Sequence, residues 1–251
     1  MSTLKVNKLR DTAGSADAIT LDPNGGAISG RRRLNINGAM EVAQYYDKVG
    51  AITDSGYYAV DRMRVVTNGV DEEPTTSQSD VASGTSPYTE GFRKAVKIQN
   101  GNQTGGAGTT DRIVLEHRIE SQDIASSGWN YTSTTSFITV QFWVKSSVAQ
   151  TFFGRFTSQT GTIKNYPFSF ALTADTWTKV VKTIPGHADL RFLTTNANGL
   201  LFELSMFRGT DTTDNSASVD GWHTYAGTAR MPDNTSTWYT TKLSLLICTN
   251  C

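Results

Sequence analysis

The chain has 251 residues, 37% hydrophobic and 18% charged, with 23 basic side chains against 23 acidic ones and no net formal charge. That length suffices for one large β domain with a small appendage, and a core of such size stands without disulfide staples. The charge balance argues against nucleic acid as a partner, because phosphate binders carry a basic excess or stripe. A surface left to Ser, Thr, Asn, Gln and Gly argues against long helices.

In chain order, residues 1–33 read as a separate attachment or oligomerisation segment. Leu4 to Leu9 alternates like a short strand, and Asp11 to Ser15 forms a turn. A second strand follows over Ala18 to Leu21, then a strong turn at Asp22 to Gly26 and a third strand over Ala27 to Gly30. Three strands this small cannot bury a core alone. The segment is therefore expected to pair with copies of itself or with another protein, and its attachment contacts fall on Leu4, Val6, Leu9, Ile19 and Leu21. Arg31 to Arg33 closes it, either as a solvated junction or as a dock for an acidic surface. The start has no apolar run behind its charge, so no secretory signal is expected. No stretch reaches the roughly 18–20 apolar residues of a membrane span, so no membrane insertion is expected.

Residues 34–251 alternate with period two. After a weak helix signal near Gly38 to Lys48, Phe92, Val96 and Ile98 line one strand face. Ile113, Leu115 and Ile119 oppose Glu116, Arg118 and Glu120 on the next strand. Ile138, Val140, Phe142 and Val144 repeat the pattern, as do Phe168, Phe170 and Leu172, and then Leu200, Phe202, Leu204 and Met206. Polar loops are expected at 71–90, 100–111 and 209–220. About eight to ten strands, each with one apolar face, define an all-β, jelly-roll-like two-sheet sandwich over residues 34–251.

Glycoside hydrolysis needs two carboxyls roughly 5–9.5 Å apart. Glu116 and Glu120 share a strand face but lie about 13 Å apart at about 3.3 Å per residue. With Arg118 between them they read as a charge ladder on an exposed face. His117, His187 and His223 are far apart in sequence, and His117 shares the parity of the apolar residues. No G-x-S-x-G, P-loop, H-E-x-x-H or dinucleotide fingerprint occurs, so no catalytic residue and no cofactor is expected.

Acidic loops at Asp211, Asp214 and Asp220 and at Asp71, Glu72 and Glu73 leave a structural calcium ion open. Cys248 and Cys251 form a C-x-x-C with neither a helix start nor further ligands beside it. Trp143 and Trp177 read as packing residues. Trp129, Tyr131, Trp222, Tyr225, Trp238 and Tyr239 lie in Gly-flanked or turn-rich stretches. They are the candidate glycan contacts, since a pyranose offers an apolar face of C–H groups to an aromatic ring.

Several strings carry a further signal. Ser2-Thr3-Leu4-Lys5-Val6-Asn7 with Ala18-Ile19-Thr20-Leu21 is followed by Asn35-Ile36-Asn37-Gly38-Ala39-Met40-Glu41-Val42-Ala43-Gln44 and by Gly56-Tyr57-Tyr58-Ala59-Val60-Asp61-Arg62. Val140 to Ser147 and Ala174 to Lys179 complete the series, which runs to about Pro185. In this order the strings resemble tail-fibre and appendage proteins of marine tailed phages, cyanophages included. The resemblance implies a homotrimeric virion structural protein with a carbohydrate-binding-like jelly roll and no fixed catalytic motif. It would be made in the host cytoplasm and sit on a tail or capsid appendage, with other virion proteins and a host cell-surface glycan as partners. The last residues, Lys242 to Cys251, depart from the family's usual final strand, which leaves that strand's pairing open and predicts no longer receptor-binding tip. A stand-alone carbohydrate-binding module and a depolymerase with a site between subunits remain as alternatives.

Overall fold

The computed structural model describes residues 8–10, 17–21, 27–28, 34–44, 55–242 and 244–249, with 8–28 and 244–249 described by backbone alone. The chain divides into two compact units, Met1–Arg33 and Leu34–Cys251.

The first unit is a three-stranded antiparallel sheet of β1 (Lys8–Arg10), β2 (Asp17–Leu21) and β3 (Ala27–Ile28), in that order. Leu9 lies opposite Ile19, with a register shift before Arg10. Leu21 lies opposite Ala27. Leu4, Val6 and Arg31 to Arg33 lie outside the described residues.

In chain order the strands of the second unit are β4 (Gly56–Tyr57), β5 (Met63–Asn68), β6 (Thr75–Asp80), β7 (Lys94–Gln99), β8 (Arg112–Glu120) and β9 (Phe137–Ser146). They continue with β10 (Gln150–Ser158), β11 (Lys164–Leu172), β12 (Thr178–Pro185), β13 (Asn198–Arg208), β14 (His223–Thr224) and β15 (Ser244–Thr249). One sheet has seven strands in the order β14-β11-β10-β13-β8-β5-β4, and the other has five in the order β12-β9-β15-β7-β6. The chain alternates between the layers from β7 to β10, as a jelly-roll-like sandwich requires. The period-two reading thus gives the right class of fold.

The inward faces meet in one core. Phe142, Phe152, Phe156, Phe168, Phe170 and Phe202 are all buried there. Phe142 meets Phe170 edge-on at 5.5 Å, and Phe156 stacks on Phe202 at 5.0 Å. Burying each such side chain contributes about 1.5–3 kcal/mol. Gly154, between Phe152 and Phe156 on β10, leaves the space that the Phe168 ring and Leu204 fill.

Three local expectations are corrected, and the pairing of the last strand, left open by the sequence, is given by the structure. Residues 38–44 form no helix; among the described residues the helices are α1 (Ser86–Thr89) and α2 (Ser121–Ala125), with one 3-10 turn at Thr210–Thr212. The expected 71–90 loop contains β6 and α1. The β6 sequence, Thr-Thr-Ser-Gln-Ser-Asp, has no apolar alternation because it is an edge strand in which Thr76 alone is fully inward. Phe92 precedes β7 and packs with Val81 and Ala95 in a small separate cluster, against which Trp143 and Trp177 rest half-exposed. The final strand β15 lies centrally in its sheet, antiparallel to both β7 and β9, with Cys248 in register with Trp143. Cys251 lies outside the described residues.

Candidate functional site: an arginine-rich sheet face

The outward face of the seven-stranded sheet carries a row of four charges in direct cross-strand register. Arg155 on β10 lies opposite Glu203 on β13, Glu203 opposite Glu116 on β8, and Glu116 opposite Arg64 on β5. Directly opposed like charges destabilise a sheet, so Glu116 beside Glu203 needs compensation, and arginines supply it. Arg64 donates to Glu116 at 2.8 Å and Arg118 to the same oxygen at 3.3 Å. Arg155 donates to Glu203 at 2.7 Å, and Arg208 grips both Glu203 oxygens at 2.9 and 2.8 Å.

Arg208 reaches this face because of a bulge. Five residues separate it from Glu203, a spacing that an unbroken strand would place on opposite faces. The register shift between Ser205 and Phe207 restores it to the outer side, opposite Arg112.

Glu203 is fully buried, and burial alone would raise its carboxyl. The neighbouring Arg155 and Arg208 outweigh that effect and hold it well below the usual carboxylate range. Glu116 and Glu203 are therefore the carboxylate pair that a search along a single strand misses, since neighbouring strands bring opposed Cβ atoms to about 4.5–5.5 Å. Sealed at 0% exposure and held by two arginines that favour its ionised form, Glu203 is poorly placed to donate a proton to a glycosidic oxygen. The expected ladder of exposed Glu116 and Glu120 is also corrected. Glu116 is buried at 8% exposure because its arginine partners close over it, whereas Glu120 reaches Arg62 at 3.9 Å.

Two more arginines edge this cluster. Arg112 and Arg230 are half-buried, and among the described residues neither has a carboxylate partner. Burial first, and then the charge of Arg208, pushes both guanidinium pKa values down. Arg155 also binds Thr157 and Asn165, and Asn165 donates in turn to the Arg230 carbonyl at 2.7 Å and to His223. The 223–230 segment is thereby tied to the sheet. Half-exposed Tyr225 sits there, with Arg155 5.9 Å and Arg230 5.5 Å from its ring centre.

Of the six aromatic residues read as glycan contacts, only Tyr225 lies at this face. Trp238 and Tyr239 are fully buried and present no ring to solvent. Tyr239 stacks on Phe207 at 4.3 Å and donates to Asp111 at 2.9 Å, and burial followed by Asp111 raises its hydroxyl pKa strongly. Their turn-rich sequence concealed a segment folded onto the end of the sandwich. Trp129 is buried, with its indole donating to the Ser136 carbonyl at 3.2 Å. Tyr131 packs edge-on against Phe192 at 4.9 Å. Half-buried Trp222 donates to the Pro185 carbonyl at 2.7 Å and meets Tyr166 edge-on.

Other polar clusters have internal partners. Asp71 and Glu72 accept backbone N–H bonds from Gly105 and Asn102, Asp214 accepts one from Ser216, and Asp220 pairs with Lys182. Among the described residues no group of three or more His, Cys, Asp or Glu side chains is placed to hold a metal ion. An open cleft lined by Ile36, Asn37, Val42, Gln44, Tyr57, Asp61 and Arg62 carries a 43%-exposed Tyr57. Its Asn37 and Asp61 side chains bond the cleft's own backbone.

No family profile matches the sequence, and no curated protein does. Solved structures of similar shape include a candidate sugar-binding protein from Bacteroides thetaiotaomicron, with a TM-score of 0.43, 11% identity, 87% of this chain covered and 98% of that one. A family 4 carbohydrate-binding module matches with a TM-score of 0.38 and 13% identity over 86% of this chain and 96% of that one. The enzymatically active domain of tailspike protein 4 of bacteriophage CBA120 matches with a TM-score of 0.37 and 10% identity over 59% of this chain and 18% of that one. These are distant likenesses of shape.

Proposed function

We propose that this chain is a non-catalytic appendage protein of a tailed-phage virion whose sandwich binds host-surface polysaccharide at the margin of this arginine cluster. There half-exposed Tyr225, Arg112 and Arg230 reach solvent, while the sheet residues between them are buried. The observation that carries the binding reading is Tyr225, a half-exposed ring with the guanidiniums of Arg155 and Arg230 within 6 Å of its centre. An aromatic ring supplies a stacking surface for a pyranose, and arginines supply the planar hydrogen bonds that orient it. The virion reading is supported by the ordered strings Ser2 to Asn7, Asn35 to Gln44 and Gly56 to Arg62, and by a first unit of three very short strands suited to pairing with other chains.

Calorimetry with envelope polysaccharide from a susceptible host tests the binding claim. Tyr225→Ala is expected to weaken binding about tenfold while the melting temperature stays unchanged. Equal binding by Tyr225→Ala and the parent would remove this face as the site. Immunogold labelling of intact particles tests the virion claim, and particles without label would overturn it.

A further inference from the structure

We infer that the ligand of this face is an anionic polysaccharide whose acid groups are taken up by Arg112 and Arg230; the inference rests on the glycan-binding reading and names the ligand class.

The charge distribution is the first support. The whole chain balances 23 basic residues against 23 acidic ones, yet Arg64, Arg112, Arg118, Arg155, Arg208 and Arg230 gather around only Glu116 and Glu203. Those two carboxylates are each engaged by two arginines already. Nothing negative is left for Arg112 and Arg230 within ion-pair reach among the described residues.

The second support is burial without satisfaction. Half-buried Arg112 has a buried Nε with no protein partner, whereas the unpaired Arg155 Nε and Arg208 Nη1 lie on side chains only 3% and 2% exposed, out of a polysaccharide's reach. A buried donor left unpaired costs free energy, more so when charged. Arg112 also lies directly across from Arg208, a like-charge pairing that destabilises a sheet and that Glu203, gripped by Arg208, offsets only in part. An anion beside Arg112 would cancel that repulsion, whereas a neutral sugar would not.

The third support is the kind of cation. The six positions are all arginine, whose planar fork matches a carboxylate or sulfate ester in two parallel hydrogen bonds. Tyr225, flanked by Arg155 and Arg230, places a sugar ring beside the charge readers. A single aromatic residue at a half-buried cluster suits an acid-bearing glycan better than a nucleic acid strand, which is held by successive stacking rings along a basic groove.

The test uses the full-length protein with polygalacturonate, dextran sulfate, neutral dextran, neutral laminarin and a single-stranded DNA oligonucleotide, followed by calorimetry at low and high salt. At least one polyanionic glycan is expected to bind, and to weaken as salt rises. Which polyanion binds distinguishes uronate carboxylate from sulfate ester, and either supports the inference. Arg112→Gln and Arg230→Gln should each lower that affinity about tenfold, with Arg112→Lys retaining part of it.

In the absence of ligand, Arg112→Gln should raise the melting temperature at low salt, because it removes an uncompensated charge; a purely structural arginine would lower it. Neutral polymers binding as tightly as the polyanions, unchanged affinity in both Gln variants, or tighter binding of the oligonucleotide would each overturn the inference and leave glycan binding to be judged on the host polysaccharide. Failure to bind that polysaccharide as well would bring down the proposed function itself.

Discussion

Glu203 shows how strongly a single side chain can depend on its neighbours. With both oxygens held by Arg155 and Arg208, it is the counter-ion that makes two nearly sealed guanidiniums tolerable. Removing one member of such a group leaves uncompensated buried charge, which costs about 3–5 kcal/mol. Glu203→Gln is accordingly expected to lower the urea midpoint at pH 7 by that order without a change in slope. The sign of its pH dependence follows from its depressed carboxyl. The stabilisation is full above the ordinary value of 4.5 and is lost as pH falls through that value toward the much lower folded one.

His117 acts earlier. Buried on the core side of β8, with Nδ1–H donating to the Arg62 carbonyl at 3.2 Å, it has its pKa lowered by burial from an ordinary 6.5. The unfolded chain takes up the proton first, so stability should begin to fall as pH drops below about 6.5. His223 is depressed by burial in the same way, so imidazole NMR titration is needed to separate the two. The sequence indicated the parity of His117 correctly. It could not indicate Glu203 as the partner of Glu116, because that contact joins residues far apart in the chain through strand register.

At the scale of elements, the strands most legible in sequence were those whose two faces differ in polarity. β8, β9, β11 and β13 show in the sequence because apolar core residues on one face alternate with polar or charged residues on the other, although on β8, β11 and β13 both faces are largely buried. β6 was invisible because an edge strand of Ser, Thr and Gln has little to alternate. The aromatic segment around Trp238 misled for the opposite reason, since turn-forming neighbours enclose two fully buried rings. The bulge that turns Arg208 outward has no signature in composition at all.

Gly154 is an element-level feature that the sequence also hid. It lies at an inward position of β10 where a Cβ would collide with the ring of Phe168 and press Leu204, both fully packed. Neither neighbour is a flexible end with room to move. Overpacking of this kind costs about 1–3 kcal/mol, so Gly154→Ala should lower stability by that amount even though alanine restricts the unfolded chain more than glycine does. A melting temperature equal to or above the parent's would show that the Phe168 ring can repack.

On the scale of the whole molecule, the two units differ in what they can bury. Leu34–Cys251 holds a continuous core that joins both sheets and includes inward residues from β5 to β13, enough to fold on its own. Met1–Arg33 offers three strands of three, five and two residues, and isolated sheets of that size are not stable in water. On the proposed reading, association with further chains would supply the missing burial. The proposed appendage role predicts a trimer for the full chain by light scattering, and for residues 34–251 a folded monomer with the same core melting transition. A trimer surviving the deletion would move the contact to the sandwich, and a monomeric full chain would overturn self-association through the first unit. Multivalency gives the arrangement its functional consequence. In the proposed trimer, three copies of the site would convert weak single-site binding into avid attachment, with gains of about 10²–10⁴ where geometry allows simultaneous engagement. Full chain and truncated sandwich should therefore bind a soluble acidic oligosaccharide equally, while only the full chain holds tightly to a polysaccharide-coated surface.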